Sequence, residues 1–336
     1  MRKLASFVVC CYNSQEYMRK CIDSLLVGGE KVEIIVIDDG SKDDTGKIAD
    51  EYLEKYPTIV KVVHQENGGH GAGVSRGIQE ATGYYFKVVD SDDWVDADAL
   101  MKFLDVIEKS DKTVDCIVTD YEYFYKGEPT QRIAYGSVFP KNVPFTIEET
   151  KKFKVDSYLT IHSVAYRVDF LHSLNLQIPR KTFYDDNYFI YVPLCHIQKY
   201  YYLPERLYCY YVGRAGQSVS KEFAIKRYGD YMKIDQACFL EVDQMKYKKQ
   251  KKLFRLLSHQ YFIIHIEAMM YAQLSNTKES KQALKDFLKI TKEKNPKQYH
   301  RYRRLRYAGF VSHPNFIGHL GGKFGYWVSH LFVKYN

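Results

Sequence analysis

Four apolar runs constrain the fold of this chain more than any other feature. Leu4–Cys11 (LASFVVCC), Val32–Ile37 (VEIIVI), Ile59–His64 (IVKVVH) and Tyr84–Val89 (YYFKVV) are rich in β-branched and aromatic residues. They are largely continuous and do not alternate with polar residues, the pattern of strands buried on both faces of a sheet. Helical patterns lie between them. Tyr17, Cys21, Ile22, Leu25 and Leu26 recur at helical spacing, with Asn13 or Ser14 expected as the cap and Gly28-Gly29 as the stop. Ser41 followed by Asp44 resembles a capping box for a second helix ending near Tyr56-Pro57. Strand, helix, strand, helix, strand predicts an α/β fold with a parallel sheet covered on both faces.

Such sheets bind ligands at the carboxyl ends of their strands, and here two strands run straight into acids. Ile37 leads into Asp38-Asp39-Gly40-Ser41, and Val89 into Asp90-Ser91-Asp92-Asp93-Trp94. Crowded carboxylates repel unless a cation sits between them, and hard oxygen ligands suit a divalent ion. An acidic turn capping the next helix is the competing explanation. The segment Glu66–Gly73 is dense in glycine and leads into a helix expected over Val74–Ala81. It is not a dinucleotide fingerprint: Gly71-Ala-Gly73-Val-Ser-Arg-Gly77 has three residues before its last glycine and follows the third strand. No P-loop pattern is present either.

Farther along, Asp96–Ser110 reads as a helix and Asp115–Tyr121 as a strand, with hairpins or loops over 122–160. Leu159–Leu174 begins strand-like and ends helical. Thr182–Asn187 precedes a helical run to about Cys195, a tyrosine-rich strand is expected near Leu207, and Gly213–Ser218 is a polar loop. From about residue 220 helical periodicity takes over, from Phe223 to Ile290. The expected division is a domain over 1–218 and a basic, mainly helical extension over 219–336. Leu320, Phe324, Trp327, Val328 and Leu331 repeat at helical spacing beside Lys323 and Lys334, an amphipathic helix for a membrane surface or for packing on the rest of the chain.

The 336 residues carry a formal charge of +8, which suits phosphate-rich partners or anionic lipid. Tyrosine outnumbers phenylalanine, 31 to 19, a bias that fits sugar-binding grooves and membrane interfaces. Seven cysteines without paired spacing point to a reducing compartment. Arg2-Lys3 before Leu4–Cys11 mimics a signal peptide but lacks a small-residue cleavage site, and no apolar run is long enough to span a bilayer. A cytoplasmic protein is expected, at the inner face of the membrane if the amphipathic helix docks there.

Five segments, taken in order, resemble glycosyltransferase family 2 of the GT-A fold: Val8-Val-Cys-Cys-Tyr12-Asn13, Ile37-Asp-Asp-Gly-Ser41, Asn67-Gly-Gly, Ala81-Thr-Gly-Tyr-Tyr-Phe and Asp90-Ser-Asp92-Asp93-Trp94. Asp185-Asp186 falls where that family has its late acidic motif, so the resemblance covers about residues 4–218. It implies a GT-A (Rossmann-like) domain that moves a sugar with inversion from a nucleotide-sugar, most often a UDP-sugar, to a hydroxyl of a saccharide or lipid-linked acceptor. It also implies Mn²⁺ or Mg²⁺, with Asp92 the principal metal ligand, Asp90 beside ribose and metal, and Asp93 in support. Asp39 would read the uracil imide and Tyr12 would flank the base; simple turn capping also explains Asp39. Arg76 would contact the diphosphate or stand as a solvated helix residue.

Asp186 would be the base that takes the acceptor's proton, against a plain first-turn helix acid. His162 and the Gly213–Ser218 loop would face the acceptor or the diphosphate, with a structural histidine equally compatible. Cys10, where relatives often have proline, is a strand thiol and no nucleophile. A nucleotidyltransferase would need a glycine-rich basic loop after the first strand, and Tyr12-Asn13-Ser14-Gln15 stands there instead. A non-catalytic glycan- or nucleic-acid-binding module is the remaining rival. Nucleic acid ranks behind a saccharide, and the helical extension offers a surface for an oligomer.

Overall fold

The computed structural model describes residues 2–213 and 220–332. Most of the expected Gly213–Ser218 loop therefore lies outside the described residues. The chain forms two compact units. The first comprises Met1–Lys151, Leu159–Lys181 and His196–Arg214; the second comprises Lys152–Tyr158, Thr182–Cys195 and Ala215–Asn336.

The first unit is a curled, mostly parallel sheet with helices around it. Its elements are β1 (Ala5–Cys11), α1 (Met18–Leu26), β2 (Val32–Asp38), α2 (Thr45–Lys55), β3 (Val60–His64), α3 (His70–Glu80), β4 (Tyr85–Asp90), β5 (Trp94–Val95), α4 (Ala97–Lys109), β6 (Cys116–Tyr125), β7 (Glu128–Ile133), β8 (Pro144–Phe145), β9 (Val164–Arg167), α5 (Val168–Leu174) and β10 (Tyr200–Val212). Among the described residues the strand order is β3-β2-β1-β4-β9-β6-β10-β5, with β7 on β6 and β8 on β10. The β3-β2-β1-β4 half is parallel, as the apolar runs predict. β9 then enters antiparallel to both β4 and β6. Every residue of β2, and all of β1 but Cys10, is buried.

Register decides where the acids lie. Cys11 pairs with Asp38 on β2, and Cys10 pairs with Asp90 on β4. Both acidic runs therefore emerge at one edge of the sheet, on either side of the end of β1.

Three local expectations are corrected. Tyr17, not Asn13 or Ser14, holds the N-cap position of α1. Asn13 and Ser14 instead tie the loops together, with Asn13 Oδ1 accepting from Lys42 N at 2.8 Å and Ser14 N donating to Thr45 Oγ1 at 2.7 Å. Ser41 caps nothing: its N–H donates to Asp38 Oδ1 at 3.0 Å, and Asp44 takes the N-cap position of α2 without a side-chain bond. Finally, α3 begins at His70, so Gly71 and Gly73 are helical and not loop. Close packing explains Gly73 and Gly77, since a Cβ on Gly77 would sit 2.5 Å from Val8 Cγ1 and one on Gly73 2.9 Å from Cys10 Sγ.

The second unit is helical: α6 (Asp186–Tyr191), α7 (Lys221–Lys226), α8 (Tyr228–Glu241), α9 (Lys251–Ser275), α10 (Lys278–Lys294), α11 (Pro296–Arg304), α12 (Arg306–Val311) and α13 (Phe316–Phe332). Tyr231, Met232, Ala268, Met269, Leu284 and Phe287 fill its core. The segment carrying α6 belongs here and not with the sheet. Tyr191 packs on Tyr261 of α9 with ring centroids 5.6 Å apart, and Tyr184 stacks on Tyr231 of α8 at 3.5 Å. No helix among the described residues is long and apolar enough to cross a membrane.

Candidate active site

Asp38 and Asp39 follow β2 into a turn. Asp38 Oδ1 accepts from Ser41 N, and its Oδ2 lies 3.0 Å from His64 Nδ1. Asp39 is buried and holds the glycine-dense segment before α3. Its Oδ1 accepts from Gln65 Nε2 at 2.7 Å and Gly68 N at 2.9 Å, and its Oδ2 accepts from Gly69 N at 2.8 Å. Gly69 has φ of 84°, a conformation that few side chains tolerate. Asp39 thus has a structural task that turn capping alone does not describe. Asp39→Ala strands three donors, each costing about 1 kcal/mol. Chemical denaturation is expected to show a loss of about 2–3 kcal/mol, and a loss below about 0.5 kcal/mol would refute this anchoring role.

Tyr12, beyond β1, is 52% exposed and offers its ring to solvent. Arg76 lies on the outer face of α3 and pairs with Glu80 at 2.6 Å.

The second acidic group is packed far more tightly. Asp90 is the last residue of β4. His70 Nε2 lies 3.3 Å from Asp90 Oδ1, and Asp90 N donates to the Tyr208 hydroxyl oxygen at 3.1 Å. Burial works against its charge, but His70, His162 and Tyr208 together outweigh burial and hold the carboxyl below its usual range. Asp93 is fully buried. Tyr208 Oη donates to Asp93 Oδ2 at 2.5 Å, and Tyr211 N donates to Oδ1 at 2.7 Å. Burial first, then the charges of Asp92 and Asp90, push this carboxyl well above its usual range. Adjacent acids driven in opposite directions make this group a candidate functional site. Asp92, between them in sequence, is half-buried.

His162 reaches this group from the turn before β9. Its ring lies 4.6 Å from that of Tyr208 and 4.4 Å from that of Tyr210. Lys87, buried inside β4, donates to the carbonyls of His162 (2.7 Å) and Val164 (3.2 Å) and so pins that turn. Burial pushes the His162 imidazole down to about 4, leaving it neutral.

Asp90, Asp93 and His162 each offer a ligand atom, all within 4.8 Å of one another. His162 Nδ1 is buried without a hydrogen-bond partner among the described residues. Two acids and a neutral imidazole whose buried Nδ1 has no partner among the described residues fit a divalent cation such as Mn²⁺. Asp92 is outside this trio, although its charge acts on Asp93.

Asp186, in the helical unit, is the first residue of α6, and Asp185 is at its N-cap without a side-chain cap bond. Tyr184 just before them has φ of 65°, unusual for a bulky residue, and its stacking on Tyr231 holds it there. Glu267 on α9 is the neighbouring acid. Burial, then the Asp186 charge, raises its carboxyl to about 7.

Sequence patterns missed His70, Lys87, Tyr208 and Glu267. A lysine inside the apolar run YYFKVV was a visible anomaly. The other three carry no local signal, because their partners lie on distant segments.

A parallel half-sheet with two carboxylate groups at the carboxyl ends of its strands is what the GT-A resemblance implies. The sequence profile described as "Glycosyl transferase family 2" matches residues 6–174, and the chain belongs to that family. Putative glycosyltransferase EpsH of Bacillus subtilis is 43% identical over 94 residues, 28% of this chain and 27% of the relative. Glycosyltransferase GlyA of Streptococcus pneumoniae is 28% identical over 221 residues, 63% of this chain and 31% of the relative. The chain thus spans about a third or less of the length of these two relatives.

Among solved structures, S. aureus TarS 1–349 in complex with UDP-GlcNAc superposes with a TM-score of 0.67 at 20% identity, over 97% of this chain and 92% of that one. The mannosyltransferase PcManGT of Pyrobaculum calidifontis, in complex with GDP-Man and Mn²⁺, reaches 0.53 at 14% identity, over 92% and 85%. These likenesses agree with the expected GT-A architecture and its helical extension.

Proposed function

We propose that this chain is a metal-dependent, inverting glycosyltransferase that moves a sugar from a nucleotide-sugar, in the first place a UDP-sugar, to a hydroxyl of a glycan or lipid-linked acceptor. A role in cell-envelope or polysaccharide synthesis rests on the family resemblance. The observation that carries the proposal is the Asp90–Asp93–His162 trio at the same sheet edge as Asp39, in a family 2 chain. TarS, of like fold, binds UDP-GlcNAc, and PcManGT binds GDP-Man with Mn²⁺.

Asp90, Asp93 and His162, with Asp92 beside them, would hold Mn²⁺ or Mg²⁺. A cation there would offset the charge that develops on the diphosphate leaving group. A carboxylate has about four acceptor sites. Asp39 uses three on the segment between β3 and α3, which leaves one for a uracil imide N–H. Tyr12 offers an exposed ring to the base. Arg76 reaches a diphosphate only by leaving Glu80, which costs about 0.3–0.5 kcal/mol for an exposed helical pair. Asp186 takes the proton of the attacking hydroxyl.

Calorimetry with UDP, with and without Mn²⁺, is the direct test. Metal-dependent heat is expected, and its absence would sink the proposal. Hydrolysis across a panel of UDP-sugars then separates a transferase from a binding module, since the module turns over none of them.

A further inference from the structure

Helix α13 is built inside out. A surface helix ordinarily turns its large apolar residues inward and its small or polar ones outward. Here Phe316, Ile317, Leu320, Phe324 and Trp327 are all exposed, Phe316 by 72% and Trp327 by 60%. At about 100° per residue they share one arc about 100° wide.

The inward side is glycine. A Cβ on Gly322 would sit 2.8 Å from Gln273 Cβ, one on Gly318 would strike the His313 carbonyl, and one on Gly325 the Tyr307 hydroxyl. Polar bonds lock this orientation: Tyr307 Oη donates to Gly321 O at 2.9 Å, and a ring nitrogen of His319 lies 2.8 Å from Gln273 O. The helix cannot roll its aromatic face inward without breaking them.

Charge identifies what the face meets. Residues 220–336 hold 23 Lys and Arg against 9 Asp and Glu, and residues 294–336 contain no acid at all. Lys323 stands exposed beside the apolar arc, and Arg303 bonds Gly309 O and approaches His313 where α13 begins. A second copy would bring the same positive charge to the contact. An anionic surface is attracted, and a flat one suits a row of bulky side chains along a single helix.

We infer that α13 docks this protein in the plane of an anionic phospholipid bilayer, with Phe316, Leu320, Phe324 and Trp327 in the headgroup–acyl boundary and Lys323 on the lipid phosphates. The helix lies on the membrane and does not cross it.

The test is co-sedimentation of the full chain with phosphatidylglycerol-containing vesicles and with pure phosphatidylcholine vesicles. Binding to the anionic vesicles is expected, weakening as salt rises, with a blue shift of tryptophan fluorescence that Trp327→Leu removes. The double variant Phe324→Glu/Trp327→Glu should lower partitioning by about tenfold or more, with an unchanged circular-dichroism spectrum and melting temperature as the check on folding. No binding to anionic vesicles at low salt overturns the inference. So does full binding by the double variant, which would mean that basic charge alone recruits the protein. A stable dimer in sedimentation velocity that the double variant abolishes also overturns it and makes the face a subunit contact. Partitioning needs no turnover, so this test stands or falls separately from the transferase proposal.

Discussion

Asp186→Asn is expected to bind UDP with normal affinity while turnover falls by about 10²–10⁴-fold, the usual worth of a positioned general base. The amide keeps the size of the side chain at the first position of α6 but cannot accept a proton. A second readout tests the local electrostatics without any substrate. Burial and the Asp186 charge together hold the Glu267 carboxyl at about 7. Removing that charge leaves burial as the raising cause, so the Glu267 pKa should fall in Asp186→Asn, as NMR titration would show. Normal turnover in the variant would remove Asp186 from the base role. An unmoved Glu267 would show instead that the two acids are not coupled.

Asp92→Asn is expected to weaken Mn²⁺-dependent UDP binding by about 100-fold or more, beyond the loss typical of a group that only supports a metal ligand. The structure sharpens this experiment. Asp90, Asp93 and His162 bring their ligand atoms together without Asp92, whereas the family pattern puts Asp92 first. Calorimetry on Asp92→Asn and His162→Ala in parallel decides between the two sets. If Asp92→Asn binds normally and His162→Ala does not, the ligands are the trio and Asp92 only tunes it. If both lose binding, four residues share the cation.

The strand runs were legible because burial on both faces leaves continuous apolar sequence, and β1, β2, β3 and β4 begin within a residue of their expected positions. Loop chemistry was less legible. Asn13, Ser14 and Ser41 are good capping residues by type, yet their polar atoms are used between loops, a competition that no local window shows. Gly71 and Gly73 looked like loop and are helix, and Gly73 is there for close approach to Cys10 of β1. The placement of α6 was hidden for a related reason. Its neighbours in sequence belong to the sheet, but Tyr184 and Tyr191 pack on helices that begin more than thirty residues later.

The sequence by itself determined that acids stand at the ends of β2 and β4, since strand length and apolar pattern are local properties. Only the tertiary structure decided what those acids do. Parallel register set Asp38 and Asp90 on either side of β1, and backbone donors from the glycine turn claimed most of Asp39. A buried lysine in β4 holds the turn that delivers His162, more than seventy residues away, to Asp90 and Asp93. Burial and neighbouring charge raised Asp93, while His70, His162 and Tyr208 overrode burial at Asp90, and those surroundings exist only once the chain has folded.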